Sequence, residues 1–127
     1  MSDEGGLPFD PLIQYVILRK DLVKSKKWNL GALVAQGCHA STSALWKYRE
    51  DPNVVAYCSD LEKHMHKVVL EAKDDAELLD ISSTLETNHI DHFLWKEQPE
   101  NIVTALATKP YVKSAYGTLL RHLRLLK

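Results

Sequence analysis

Two short stretches concentrate the side chains that could do chemistry: Gln14, Arg19, Lys20 and Asp21 in the first, and Gln36, Cys38 and His39 in the second. A lysine-rich link with Lys24, Lys26 and Lys27 joins them. The simplest constellations do not account for these residues. Cys38 beside His39 has the residue types of a thiol nucleophile and its base, but neighbours on a helix point about 100° apart and share a proton poorly. His64 with His66, and His89 with His92, suggest metal ligation. No cysteine or carboxylate falls at the spacing of a tetrahedral zinc site, however, so no metal is expected. No Gly-rich phosphate loop of the nucleotide-binding type occurs.

These side chains need a framework, and the sequence outlines one. Ile13 to Leu18 is almost continuously apolar and β-branched or aromatic, which suits a central strand covered on both faces. After the basic loop, Asn29 can cap a helix from about Leu30 to Arg49, which Pro52 ends. Ala32, Ala35, Gly37, Ala40, Ser41 and Ala44 make this helix small on much of its surface, which allows close packing on a sheet or leaves room for a ligand. Asp51 and Pro52 read as N-cap and first residue of a second helix, with Val54, Val55, Cys58 and Leu61 inward. Lys67 to Ala72 is a second strand. Asp74 and Glu77 have capping-box spacing at the head of a third helix, with Leu78, Ile81 and Leu85 at helical intervals and Asn88 as its left-handed stop. Ile90–Trp95 and Ile102–Ala107 are two more strands, joined by a turn over Glu97–Asn101, and a last helix spans about Lys113 to Leu123.

The order is therefore strand-helix-helix-strand-helix-strand-strand-helix, an α/β fold. It predicts a three-layer α/β/α sandwich on a mixed four-stranded sheet, because the last two strands are joined too briefly for a parallel crossover. With 127 residues, 45% hydrophobic and 26% charged, the chain fits one globular domain over residues 12–127 after a short flexible leader, 1–11. The leader, with Gly5, Gly6, Pro8, Pro11 and acidic residues, lacks the features of a targeting peptide. No apolar run approaches the roughly 18 residues of a membrane span. Cys38 and Cys58 are expected to be reduced thiols and the location cytoplasmic. The net charge of −1 hides an asymmetry: residues 1–50 hold 7 Lys+Arg against 5 Asp+Glu, residues 51–100 hold 4 against 12, and residues 101–127 hold 5 against none. If the two ends meet, they form a basic face suited to a phosphate backbone; ordinary solvated lysines are the alternative.

The unit from Gln14 through Arg19-Lys20-Asp21-Leu22, the basic loop, and Val34-Ala-Gln36-Gly-Cys38-His39-Ala40 resembles the signature of the type-2 peptidyl-tRNA hydrolases. These have a first strand ending in an Arg-Thr-Asp-Leu-like sequence, a Gly- and Lys-rich loop, and a helix opening with Ala-Ala-Gln-Cys-Ser-His-Ala. Arg19, Asp21, Leu22, Ala35, Gln36, His39 and Ala40 occupy the matching positions. The likeness continues through Lys67–Leu70, Asn88–Trp95 and Thr104–Pro110, and covers roughly residues 13 to 127. The segment Trp95–Ile102 is similar to a divergent eukaryotic branch, the peptidyl-tRNA hydrolase domain-containing proteins. Two departures stand out. Leu30 and Ala32 occupy positions where the family carries lysines. The family's Asp-Ala-Gly-Arg-Thr-Gln-like loop is shorter here, with Glu97 as its matching carboxylate and no counterpart for its threonine.

The resemblance implies hydrolysis of the carboxylic ester between a peptide and tRNA, a translation-linked hydrolase activity needing a water, a proton acceptor and donors facing the oxyanion. It implies Asp21 or Glu97 as base or water-orienting group, His39 as base or phosphate donor, and Gln36 as substrate-positioning group. Each has a plain structural alternative: a turn residue for Asp21, a packed helix histidine for His39, a loop-bonding amide for Gln36. Arg19, Lys20, Lys24, Lys26, Lys27, Arg121 and Arg124 are the expected RNA contacts, and Lys20, Lys26 or Lys27 could replace a missing family lysine. The expected partner is tRNA or peptidyl-tRNA, with no cofactor and no membrane. The rival expectation is a catalytically inactive RNA- or protein-binding module, with a protein partner or a homodimer.

Overall fold

The computed structural model describes residues 10–59, 63 and 65–127, so most of the leader, together with Leu61 and His64, lies outside the described residues. Strand β1 (Leu12–Arg19) is followed by a one-turn helix α1 (Asp21–Lys24), the long helix α2 (Leu30–Lys47) and the short α3 (Pro52–Tyr57). Next come β2 (His66–Ala72), α4 (Asp75–Thr87), β3 (His92–Glu97), β4 (Ile102–Thr108) and a two-residue β5 (Tyr111–Val112). The sheet order is β2-β1-β4-β3, with β5 also pairing β1. β1 and β2 run parallel, with Val16 opposite Val69, while β4 is antiparallel to both β1 and β3.

This is the mixed α/β sheet expected, with β1 central as its continuous apolar run requires. Alternation along β1 divides the core. Ile13 and Ile17 pack with Leu70, Leu78, Ile81, Leu85 and Leu106 under α4, whereas Val16 and Leu18 pack with Leu33, Ala40, Ala44, Ala105 and Ala107 under α2. Alanines on both α2 and β4 let helix and sheet approach closely, so the small residues of α2 serve packing along its inner line. Truncating a fully buried member such as Ile17 would cost about 2–5 kcal/mol.

The caps follow from side chains. Asn29 accepts from Ala32 N at 2.8 Å, Asp51 from Asn53 N at 2.8 Å, and Asp74 from Glu77 N at 2.9 Å. Glu77 returns its bond one residue upstream, to Lys73 N, rather than to the cap itself.

Several details differ from the sequence expectation. The sheet gains the short fifth strand. Val55 is 56% exposed, and Tyr57, fully buried, takes the inner side of α3 with Val54. Asn88 stays on the right-handed side at φ −97, and His89 at φ 61 makes the left-handed stop. β3 accordingly begins at His92, since Asp91 N is bonded by the Tyr111 hydroxyl instead of a strand partner. The last helix reduces to a 3-10 turn, Lys113–Tyr116, because Gly117 at φ 55, ψ −126 leaves the helical region. Separate turns with i to i+3 bonds follow as far as Leu123, and the tail then pairs with the edge of β2, Leu126 N bonding Val69 O at 3.0 Å. Among the described residues no helix is long and apolar enough to cross a membrane.

Candidate active site

The register of β3 on β4 slips between Trp95 and Lys96: Trp95 faces Ala105, but Lys96 faces Val103. Thr104 is therefore an extra residue, a β-bulge, and a bulge re-aims side chains. It lets Thr104 and Ala105 both face α2. The Thr104 hydroxyl, wholly buried, donates to Gln36 Oε1 at 2.7 Å. Gln36 is 3% exposed, and its Nε2 makes no hydrogen bond among the described residues. No buried side-chain polar atom among the described residues lacks a partner, so that amide nitrogen keeps a small solvent contact within an otherwise buried residue. One end of Gln36 is fixed and the other, a double N–H donor, has no protein partner among the described residues.

His39 lies one turn along the same flank of α2. It is exposed, and its ring stacks on Trp95 with centroids 4.6 Å apart and planes 18° from parallel. Trp95 Nε1 in turn donates to Glu97 Oε1 at 2.9 Å. Trp95 thus joins the helix histidine to the strand carboxylate. Phe93, at 6.3 Å from Trp95, extends the aromatic row along β3, with the Lys47 ammonium 5.9 Å from its ring centre.

Asp21 opens α1 beyond the end of β1. Its two oxygens are gripped by Arg19, Nη2 at 2.7 Å and Nε at 3.1 Å, and Arg19 Nη1 donates to Val103 O at 2.9 Å. Those bonds to Asp21 raise the Arg19 pKa above its ordinary value, against the opposing effect of burial. Val103 stands next to Thr104 and opposite Lys96, so Arg19, Asp21, Gln36, Thr104 and Glu97 share one end of the sheet. That end is the carboxyl end of the parallel pair β1 and β2, where open α/β sheets bind ligands.

The basic residues are less unified. Lys24, Lys26 and Lys27 are exposed on and after α1, Lys27 at φ 64. Lys20 donates to Glu71 at 3.3 Å, and Glu71 N bonds the Arg124 carbonyl at 2.9 Å, so the basic C-terminal segment does reach the end of β1. Arg124 shares a groove there with Glu71, Lys73, Glu77 and His122, a mixture of charges. Arg121 lies elsewhere, lining a groove with Tyr15, Lys113 and Tyr116. Among the described residues no three His, Cys, Asp or Glu side chains form a metal cluster. Both ring nitrogens of His92 are engaged, by Ser82 Oγ at 2.7 Å and Ile90 O at 3.0 Å.

Thr104 and Trp95 were not picked out as site residues by the sequence. The bulge that turns Thr104 depends on strand pairing, and Trp95 reads locally as an ordinary strand aromatic.

Comparison with known proteins bears on the family of the chain. The sequence profile of the family described as peptidyl-tRNA hydrolase PTH2 matches residues 12–126. A human protein named "Putative peptidyl-tRNA hydrolase PTRHD1" is 50% identical over 128 residues, covering 100% of this chain and 90% of that protein. Its mouse counterpart of the same name is 49% identical, covering 97% of this chain and 88% of its own length. The solved structure of Atu0240, a protein of unknown function from Agrobacterium tumefaciens strain C58, superposes with a TM-score of 0.54 at 16% identity. It covers 94% of this chain and 100% of its own, a likeness of fold alone. A profile spanning nearly the whole chain, and relatives half identical to it end to end, lead to one conclusion: this chain belongs to the PTH2 family of peptidyl-tRNA hydrolases.

Proposed function

We propose that the chain hydrolyses the ester between a peptide and the terminal ribose of tRNA. The observation that carries this reading is Gln36, buried, locked at its carbonyl by Thr104, with its amide nitrogen left without a protein partner among the described residues. A donor held in one orientation before substrate arrives suits the oxygen that becomes negative when water attacks an ester. Losing one such donor typically costs about 2.7–4 kcal/mol of transition-state stabilisation.

Glu97 is the better of the two candidate bases. One of its oxygens is held by Trp95 and the other is available to take a proton from water. Both oxygens of Asp21 are committed to Arg19, so Asp21 acts as a positioning residue that fixes the end of β1 and the start of the basic loop. His39, exposed on Trp95, offers either a stacking face for a base of the tRNA acceptor end or a donor to its phosphates. Lys24, Lys26 and Lys27 then carry the backbone contacts, with Arg124 at the margin.

A second reading is a binding module that keeps the fold and engages RNA or protein without turnover. Leu30 and Ala32, at the lysine positions of the family, favour it. Incubating the purified chain in excess over labelled peptidyl-tRNA separates the two. Peptide release supports the hydrolase, whereas tRNA affinity that falls steeply with salt, without release, supports the binding module.

A further inference from the structure

α2 covers β1, β4 and β3 but leaves β2 partly open, and a groove of about 500 Å³ lies between them. It is on the flank of α2 away from His39. Val34, Gly37, Cys38, Ser41 and Thr42 line one wall, Val16, Leu18 and Val69 the floor, and Leu126 of the tail the rim beside β2. From Val34 to Thr42 the wall runs about 12 Å along the helix.

Its polarity is one-sided. In the strand register Lys67 pairs with Gln14, Val69 with Val16, and Leu18 lies beyond. Lys67 thus marks one end, and everything from Val69 to Leu18 and Val34 is apolar. The Lys67 ammonium donates to Gln14 Oε1 at 2.6 Å and Ser41 Oγ at 3.0 Å, and stands 5.3 Å from the centre of the Tyr57 ring. Gln14 is fully buried and is itself fixed on Ser41, its Nε2 to Ser41 O at 3.2 Å. All these partners are neutral, and among the described residues no carboxylate lies within ion-pair distance of Lys67. Lys67 is exposed along its stem and turns its ammonium inward onto these partners, where partial desolvation holds its pKa below the ordinary value.

An apolar trough with a fixed cation at one end, which no carboxylate among the described residues pairs, is complementary to a molecule with an anionic head and an apolar tail. We propose that this groove binds a medium-chain apolar monocarboxylate, its carboxylate on Lys67 and its chain running over Val16 and Val69 toward Leu18 and Val34. The site is independent of Gln36 and Glu97 and of the hydrolase reading.

Isothermal titration of the full chain with decanoate, and with decanol as the headless control, tests this. Decanoate is expected to bind saturably and more tightly than decanol. Lys67→Met should weaken decanoate about ten-fold or more while leaving decanol unchanged, with the circular dichroism spectrum and melting temperature retained. Thr42→Trp, which fills the trough from an exposed position, should weaken both. Equal affinity for the two ligands, undiminished decanoate binding by Lys67→Met, or no saturable binding by the wild-type chain would overturn the proposal. So would binding of an apolar peptide with a free C-terminal carboxylate where decanoate does not bind.

Discussion

The Thr104 hydroxyl and the Gln36 side-chain carbonyl meet at 2.7 Å between β4 and α2, and they meet because β4 bulges at Thr104. Without the extra residue, strict alternation would turn Thr104 toward α4. The bond fixes the amide of Gln36 from the inside of the protein. Thr104→Val keeps shape and removes the donor, leaving Gln36 Oε1 buried and unpaired. We expect a loss of about 1–3 kcal/mol in urea unfolding. Peptide release should also slow more than substrate binding weakens, seen as a fall in kcat with KM little changed.

Arg19 is the mechanical link of the site end, joining Asp21 to the Val103 carbonyl next to the bulge. A lysine cannot reproduce a planar three-point contact. Arg19→Lys should lower stability by about 1–2 kcal/mol, the worth of one or two lost bonds. Amide hydrogen exchange in α1 should rise along with it. Unchanged protection in α1 would show that Asp21 does not need Arg19 to hold the turn.

At the opposite end of the sheet, Lys109 donates to Asp51 at 2.8 Å and to Asp91 at 3.1 Å. Burial opposes ionisation of Asp51, but the bonds from Lys109 and Asn53 N outweigh it and hold its pKa below the ordinary value. A carboxyl depressed in the folded state contributes stability above its unfolded pKa, about 3.9, and loses it as pH falls through the folded value. Asp51→Asn keeps the cap on α3, since asparagine caps as well as aspartate. The variant should therefore melt lower than wild type at pH 7, and the two curves should converge below about pH 4.

The framework was legible because its signals are local. The apolar run Ile13–Leu18 can be satisfied only between two layers, and Asn29, Asp51 and Asp74 mark helix starts by their own side chains. Gln36 and His39 were legible as members of a motif. Their physical roles were not, because these come from β3 and β4: a register slip that aims Thr104, and a tryptophan that bridges His39 and Glu97. The C-terminal segment misled for a different reason. Its helical spacing is genuine, but Gly117 adopts a backbone that ends the turn, and pairing of Leu125 and Leu126 with β2 competes with a longer helix.

Ala32 stands at the third position of α2, where the resemblance to the family's signature leads one to expect a lysine, and its N–H is bonded to the Asn29 cap. A cation in the first turn opposes the helix dipole, so Ala32→Lys should reduce stability by about 0.3–1 kcal/mol. If the substrate meets α2 at this end, the same change should raise the single-turnover rate of peptide release. A variant that is less stable and no faster would place the missing charge elsewhere, with Lys26 or Lys27 next to be exchanged.

The central claim is that Glu97, held by Trp95, activates water against an ester oriented by Gln36. Single-turnover release of labelled peptide from peptidyl-tRNA, wild type against Glu97→Gln, tests it most directly, because glutamine keeps an acceptor for Trp95 Nε1 and removes only the base. The account predicts release by the wild type and a rate lower by about 10²–10⁴ for Glu97→Gln, with tRNA affinity unchanged. No release by the wild type at large enzyme excess, or equal rates for the two proteins, would contradict it.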